Sequence, residues 1–124
     1  MQLQDLTVDV LWRDVVARIE PGSKIPTLKG GKRNGVEVTA EVISVDPDAI
    51  KIRLDKGEIR EIKKDYYTTV LAKLREQGRV RQLNVPGTTE RYVLGVLKLL
   101  PYFEAVKEYD PSEGKEKHFI TFVG

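Results

Sequence analysis

The sequence predicts an α+β protein: an N-terminal helix, a three-stranded antiparallel β-meander, and a helical half closed by a C-terminal β-hairpin. Three observations predict it. Apolar residues recur at helical spacing in three separate stretches. Between the first two, apolar and charged residues alternate with the period of two that marks half-buried strands. Beyond Pro101 the chain turns to aromatic and β-branched residues flanking a polar turn.

The first helix opens at Thr7, whose hydroxyl suits an N-cap, and carries Asp9 in its first turn, where the helix dipole favours an anion. Pro21-Gly22 ends it. Leu11, Trp12, Val15, Val16 and Ile19 share one face, so Trp12 is expected to anchor the core. Residues 23–35 read as a polar, glycine-containing connector. A strand follows at 36–45, with Val36, Val38, Ala40 and Val42 on one side and Glu37, Thr39 and Glu41 on the other. Asp46-Pro47-Asp48 forms a turn, because proline presets φ and aspartate bonds its own backbone. Ile50, Ile52 and Leu54 point inward from a strand at 49–55, and Lys56-Gly57 turns the chain into a third strand at 58–63.

The second helix is expected from an Asp65 N-cap to Gln77, with Tyr67, Val70, Leu71 and Leu74 as its stripe and Gly78 as its stop. Arg79-Val80-Arg81 is a short extended piece, Gln82–Val85 a helical turn, and Pro86-Gly87 a break. Thr88 or Thr89 caps a third long helix that buries Val93, Val96, Leu97 and Leu100 and ends before Pro101. Tyr102–Tyr109 and Lys117–Val123 pair across the loop 110–115. The whole is expected to be one compact domain, residues 1–124, with a helix-plus-meander part (1–64) and a helical part (65–124).

At 124 residues, 40% hydrophobic and 32% charged, the chain can bury one core. It has no cysteine and one methionine, which excludes disulfides, thiolate metal sites and cysteine nucleophiles. No apolar run approaches the roughly 18 residues of a membrane helix. The N-terminus lacks the basic and apolar regions of a signal peptide, so the cytoplasm is the expected location and no membrane partner is expected.

Catalysis requires a convergent set of nucleophile, base, metal ligands or phosphate loop. The one histidine, His118, falls in a strand beside Lys117 and Phe119, without a neighbouring acid or nucleophile. Asp46 and Asp48 supply too few ligands for a calcium loop. Gly30-Gly31-Lys32-Arg33 lacks the spacing and the strand-to-helix setting of a phosphate loop. No enzymatic activity, metal or cofactor is therefore expected.

Charge is more informative. Residues 66–100 carry six basic and two acidic groups, and Lys24, Lys29, Lys32 and Arg33 crowd into ten residues containing no acid. Gly30 and Gly31 leave that backbone room to approach a phosphate. Helix, short extended piece, helical turn, helix and hairpin is an order that resembles the winged helix-turn-helix family over residues 65–124. The resemblance implies a third helix that reads nucleic acid, here 88–100 with Arg91, Gly95 and Lys98 on its outward face, and a hairpin that touches the backbone. Pro86-Gly87, Glu90 and an acidic hairpin (Glu104, Glu108, Asp110, Glu113, Glu116) depart from that pattern. The expected function is a nucleic-acid-binding accessory protein, with Lys24, Lys29, Lys32, Arg33, Arg79, Arg81, Arg91 and Lys98 as contacts. The alternative is a protein-interaction or homo-oligomerisation module using helix 88–100, whose apolar face is widened by Tyr92, Leu94 and Leu99.

Overall fold

A computed structural model describes all residues, 1–124, and shows an α+β fold of three α-helices and antiparallel sheets. After a 3-10 turn at Leu3–Asp5, α1 spans Val8–Val16, and the Thr7 hydroxyl accepts the Val10 N–H at 3.1 Å as the cap position requires. Leu11, Trp12 and Val15 are buried, and the Trp12 ring nitrogen donates to the Pro47 carbonyl at 2.9 Å. Trp12 is thus tied into the core, with its polar edge satisfied.

The meander consists of β4 (Thr39–Val45), β5 (Ala49–Arg53) and β6 (Ile59–Lys63), flanked by an edge strand, β1 (Lys24–Pro26), inside the segment expected to be a connector. β1 aligns Ile25 with Ala40 in antiparallel register and buries Ile25 completely. One apolar residue between lysine and proline carries no readable alternation, which is why this strand escapes a pattern search. Ala40, Val42, Ile50 and Ile52 face the core as their alternation predicts, and Ile62 joins them from β6. A bulge at Ile43 shifts the register between Val42 and Ser44, so that Val45 comes to lie opposite Ile50.

The expected strand 36–45 is corrected at its start. Val36 belongs to a separate two-stranded hairpin, β2 (Lys32–Arg33) with β3 (Val36–Glu37), and is 70% exposed. Asn34 (φ 53°) and Gly35 (φ 78°) form its turn. Asn-Gly between extended residues is the strongest short-range hairpin signal, and here it outweighs the valine alternation that follows it.

In the second half, α2 (Tyr66–Gln77) buries Tyr67, Val70, Leu71 and Leu74 and ends at Gly78. Asp65 does not cap it: its backbone is already helical (φ −68°, ψ −16°), which carries the carboxylate away from the N–H groups ahead. β7 (Arg79–Val80) and a 3-10 turn at Gln82–Asn84 follow. α3 is shorter than expected, Glu90–Gly95, and tightens into a 3-10 turn over Val96–Leu99. Thr89 precedes it, yet its hydroxyl donates to the Glu61 carbonyl at 3.0 Å, anchoring α3 to β6 instead of capping it. The hairpin β8 (Phe103–Asp110) and β9 (Lys115–Phe122) takes β7 as a third strand, in the order β7-β9-β8.

Twenty-six buried apolar residues, from Leu6 to Ile120, form one cluster drawn from both halves of the chain. At its centre Tyr67 is fully buried, and its hydroxyl donates to the Val93 carbonyl at 2.8 Å. Burial pushes the pKa of that hydroxyl well above its ordinary value. No helix is long and apolar enough to cross a membrane.

Candidate nucleic-acid interface

The α3 segment is packed on nearly every side: Tyr92, Val93, Leu94, Gly95, Val96, Leu97 and Leu100 are buried. This corrects the expectation that Arg91, Gly95 and Lys98 form an outward face. Arg91 is exposed, but Gly95 lies against β1, where an added Cβ would stand 1.8 Å from the Pro26 carbonyl oxygen. The absent side chain lets β1 and the loop after it lie directly on α3.

That loop is pinned in several places. Leu28 N–H donates to the Arg91 carbonyl at 3.0 Å, and Gly30 N–H donates to the Thr27 hydroxyl at 3.0 Å. Lys98 is half-buried and donates through Nζ to the carbonyls of Thr27 at 2.9 Å and Leu28 at 3.5 Å. Lys98 therefore acts as a clamp on the loop rather than a free contact.

The result is a cleft of about 360 Å³ lined by Thr27, Lys29, Gly31, Lys32, Val38, Gln82, Glu90 and Arg91. Lys29, Lys32 and Arg91 come from segments about 60 residues apart and converge here, and none has a carboxylate within salt-bridge distance. The one acid on the wall is Glu90, whose Oε2 is buried without a hydrogen-bond partner. Lys29 also borders a neighbouring cleft of about 260 Å³ with Leu28, Arg81, Gln82, Leu83, Glu113, Lys117 and His118. Burial lowers the His118 pKa, and the positive charges of Lys29, Lys107 and Lys98 lower it further. Lys29 from the loop and Lys117 from the hairpin therefore line the same cleft.

Three of the other sequence candidates are engaged within the fold, and Lys24 lies elsewhere. Arg33 pairs with Asp55 at 2.6 Å. Arg79 stacks over the Phe119 ring at 4.0 Å and pairs with Glu108 at 3.5 Å. Arg81, its side chain only 15% exposed, bridges Asp110 at 3.5 Å and Glu113 at 3.1 Å. Hydrogen bonds from Ser112 and then the charges of Arg81 and Arg79 hold the Asp110 carboxyl below its ordinary pKa, against the opposing pull of burial. Lys24 lines a different cleft, with Val36, Glu37, Glu41, Arg53 and Asp55.

These pairings change the meaning of the acidic hairpin. Glu108, Asp110, Glu113 and Glu116 are engaged by Arg79, Arg81 and Lys107, with Arg81 shared between two of them, while Lys117 stands without an acid partner beside Lys29. Lys117 and Gln82 were missed because local composition shows neither which charges pair nor which strand faces the loop. No protein-family model, curated protein or solved structure matches this chain.

Proposed function

We propose that the protein binds nucleic acid through its phosphate backbone, at the cleft between the loop 27–33 and the start of α3. One observation carries this reading: Lys29 and Lys32, on a loop clamped by Lys98, line a single cleft with Arg91 of α3, and none of the three has an acid partner. Unpaired cations on a preordered loop are what a phosphate chain rewards, since each contact releases a condensed counterion. Lys117 extends the basic surface toward the hairpin, and a cytoplasmic setting accords with this role. The alternative, a protein-interaction or homo-oligomerisation module, draws less support from helix 88–100, where Tyr92 and Leu94 are buried and Leu99 is partly buried against the core.

The test is a fluorescence-anisotropy titration of labelled DNA and RNA over a range of salt. Three phosphate contacts predict a slope of log K against log salt of about −3. No micromolar association at low salt, or a flat salt dependence, overturns the reading. Glu90→Gln is expected to tighten binding about fivefold at low salt, because it removes on the order of 1 kcal/mol of repulsion from the cleft wall. Unchanged affinity in the same titration would show that Glu90 is electrostatically remote from the bound phosphates.

A further inference from the structure

Residues 32–37 form a hairpin that the rest of the molecule does not need for its core. β2 and β3 pair only with each other, Lys32 opposite Glu37 and Arg33 opposite Val36, and residues 31–37 are all exposed. None of them joins the hydrophobic cluster. An isolated two-stranded hairpin is marginally stable at best, so this one depends on its attachments. Val38 N–H closes its base on the Gly31 carbonyl at 2.8 Å, and the Arg33–Asp55 pair props one side.

Its placement is informative. Gly31 and Lys32 form part of the basic cleft, while Val36 and Glu37 line the cleft that holds Lys24 and Arg53. The hairpin therefore stands between two recesses. From its base at Gly31 and Val38 to its tip is three residues, or about 10 Å at the rise of a strand. The major groove of duplex DNA is about 8.5 Å deep and about 12 Å wide, and admits a two-stranded ribbon.

We propose that this hairpin is a finger that reads the major groove of duplex DNA, with Arg33 and Asn34 at the base edges and Lys29, Lys32 and Arg91 on the flanking phosphates. The inference rests on the nucleic-acid reading above and adds the class of nucleic acid and the reading element. Arginine presents a fork to the O6 and N7 acceptors of guanine, and asparagine matches the N6 and N7 of adenine. Arg33 is 52% exposed in its pair with Asp55, whose side chain is 27% exposed; partly exposed pairs are weak, so a guanine edge can replace the carboxylate as the partner that holds the hairpin. Duplex RNA is disfavoured because its major groove is too deep and narrow for side chains to read.

The experiment compares a labelled 20-bp DNA duplex pool, the corresponding RNA duplex and single-stranded DNA by anisotropy, with dimethyl sulfate footprinting of guanine N7 on the DNA duplex. Two variants of the full chain are used. Arg33→Ala/Asn34→Gly strips the tip, and glycine retains the left-handed turn. Lys29→Ala/Lys32→Ala/Arg91→Ala strips the phosphate contacts. The wild type is expected to prefer duplex DNA and to protect guanine N7. The tip variant should lose that protection and about tenfold in affinity for its best sites, with the salt slope falling by no more than about 1. Retained protection and affinity in the tip variant overturn the finger while leaving the phosphate reading intact. Preference for duplex RNA or single strands without N7 protection also overturns the finger. Wild-type binding by the triple variant, or no binding of any probe by the wild type, overturns the nucleic-acid reading itself.

Discussion

Replacing Gly95 with alanine is expected to destabilise the protein by about 3 kcal/mol or more, at the upper end of overpacking penalties or beyond. In a chain of this length that lowers the melting temperature by roughly 10–15 °C. The backbone at Gly95 is ordinary helix (φ −59°, ψ −40°), so an alanine there is unstrained and, judged by propensity alone, favourable by about 1 kcal/mol. Space reverses the sign. The new methyl carbon would meet the Pro26 carbonyl oxygen at 1.8 Å, its carbon at 2.8 Å and the Thr27 carbon at 3.1 Å. All three are backbone atoms, and β1 is hydrogen-bonded to the sheet, so relief requires moving a strand. Gly31→Ala is the control: nothing lies within 4 Å of its added Cβ and its backbone lies outside the left-handed region, so stability should hardly change. Thermal and urea unfolding check both. Because the displaced segment leads into the basic loop, a Gly95→Ala protein that still folds should also bind nucleic acid more weakly. Equal stability of Gly95→Ala and wild type would mean that β1 does not rest on α3.

The triple variant Lys29→Ala/Lys32→Ala/Arg91→Ala is expected to lose on the order of a thousandfold in nucleic-acid affinity at 50 mM salt, about 4 kcal/mol, if three phosphate contacts vanish. Its salt slope should approach zero, whereas the wild type should weaken roughly fortyfold between 50 and 200 mM salt. Stability should be nearly unchanged, because all three side chains are exposed and lack ion-pair partners. Arg79→Ala and Arg81→Ala should behave in the opposite way. Both arginines brace the hairpin, so their loss should be felt in unfolding before it is felt in binding. A binding defect as large from Arg81→Ala as from the triple variant would move the interface away from the cleft.

Much of the fold was legible because it depends on neighbours in the chain. Thr7 caps α1 and Gly78 stops α2 through geometry contained within one turn. Ala40, Val42, Ile50 and Ile52 face inward because a pleated strand turns alternate residues to the same side. The misreadings occurred where two local signals competed or where a through-space partner took over. At Val36 the Asn34-Gly35 turn competed with an alternation that happened to continue through it. At Thr89 a distant carbonyl, that of Glu61, claimed the hydroxyl that a helix start would otherwise use.

The candidate site was legible only in part. The cluster of cations in residues 24–33 is visible in the sequence, but eight candidates appeared equivalent there. Ion pairing sets Arg33, Arg79 and Arg81 apart, a carbonyl clamp does so for Lys98 and position does so for Lys24, and these contacts join residues such as Arg33 with Asp55 or Arg81 with Glu113 that no local pattern connects. The sequence by itself determined the α+β class, the three helices, the meander and the excess of basic groups in the middle of the chain, because periodicity and composition act over a few residues. Only the tertiary structure decided that Gly95 admits β1, that Lys98 clamps the loop, and that Lys29, Lys32 and Arg91 share a cleft. Close approach and charge pairing depend on distance through space, and the packing of the whole core sets that distance.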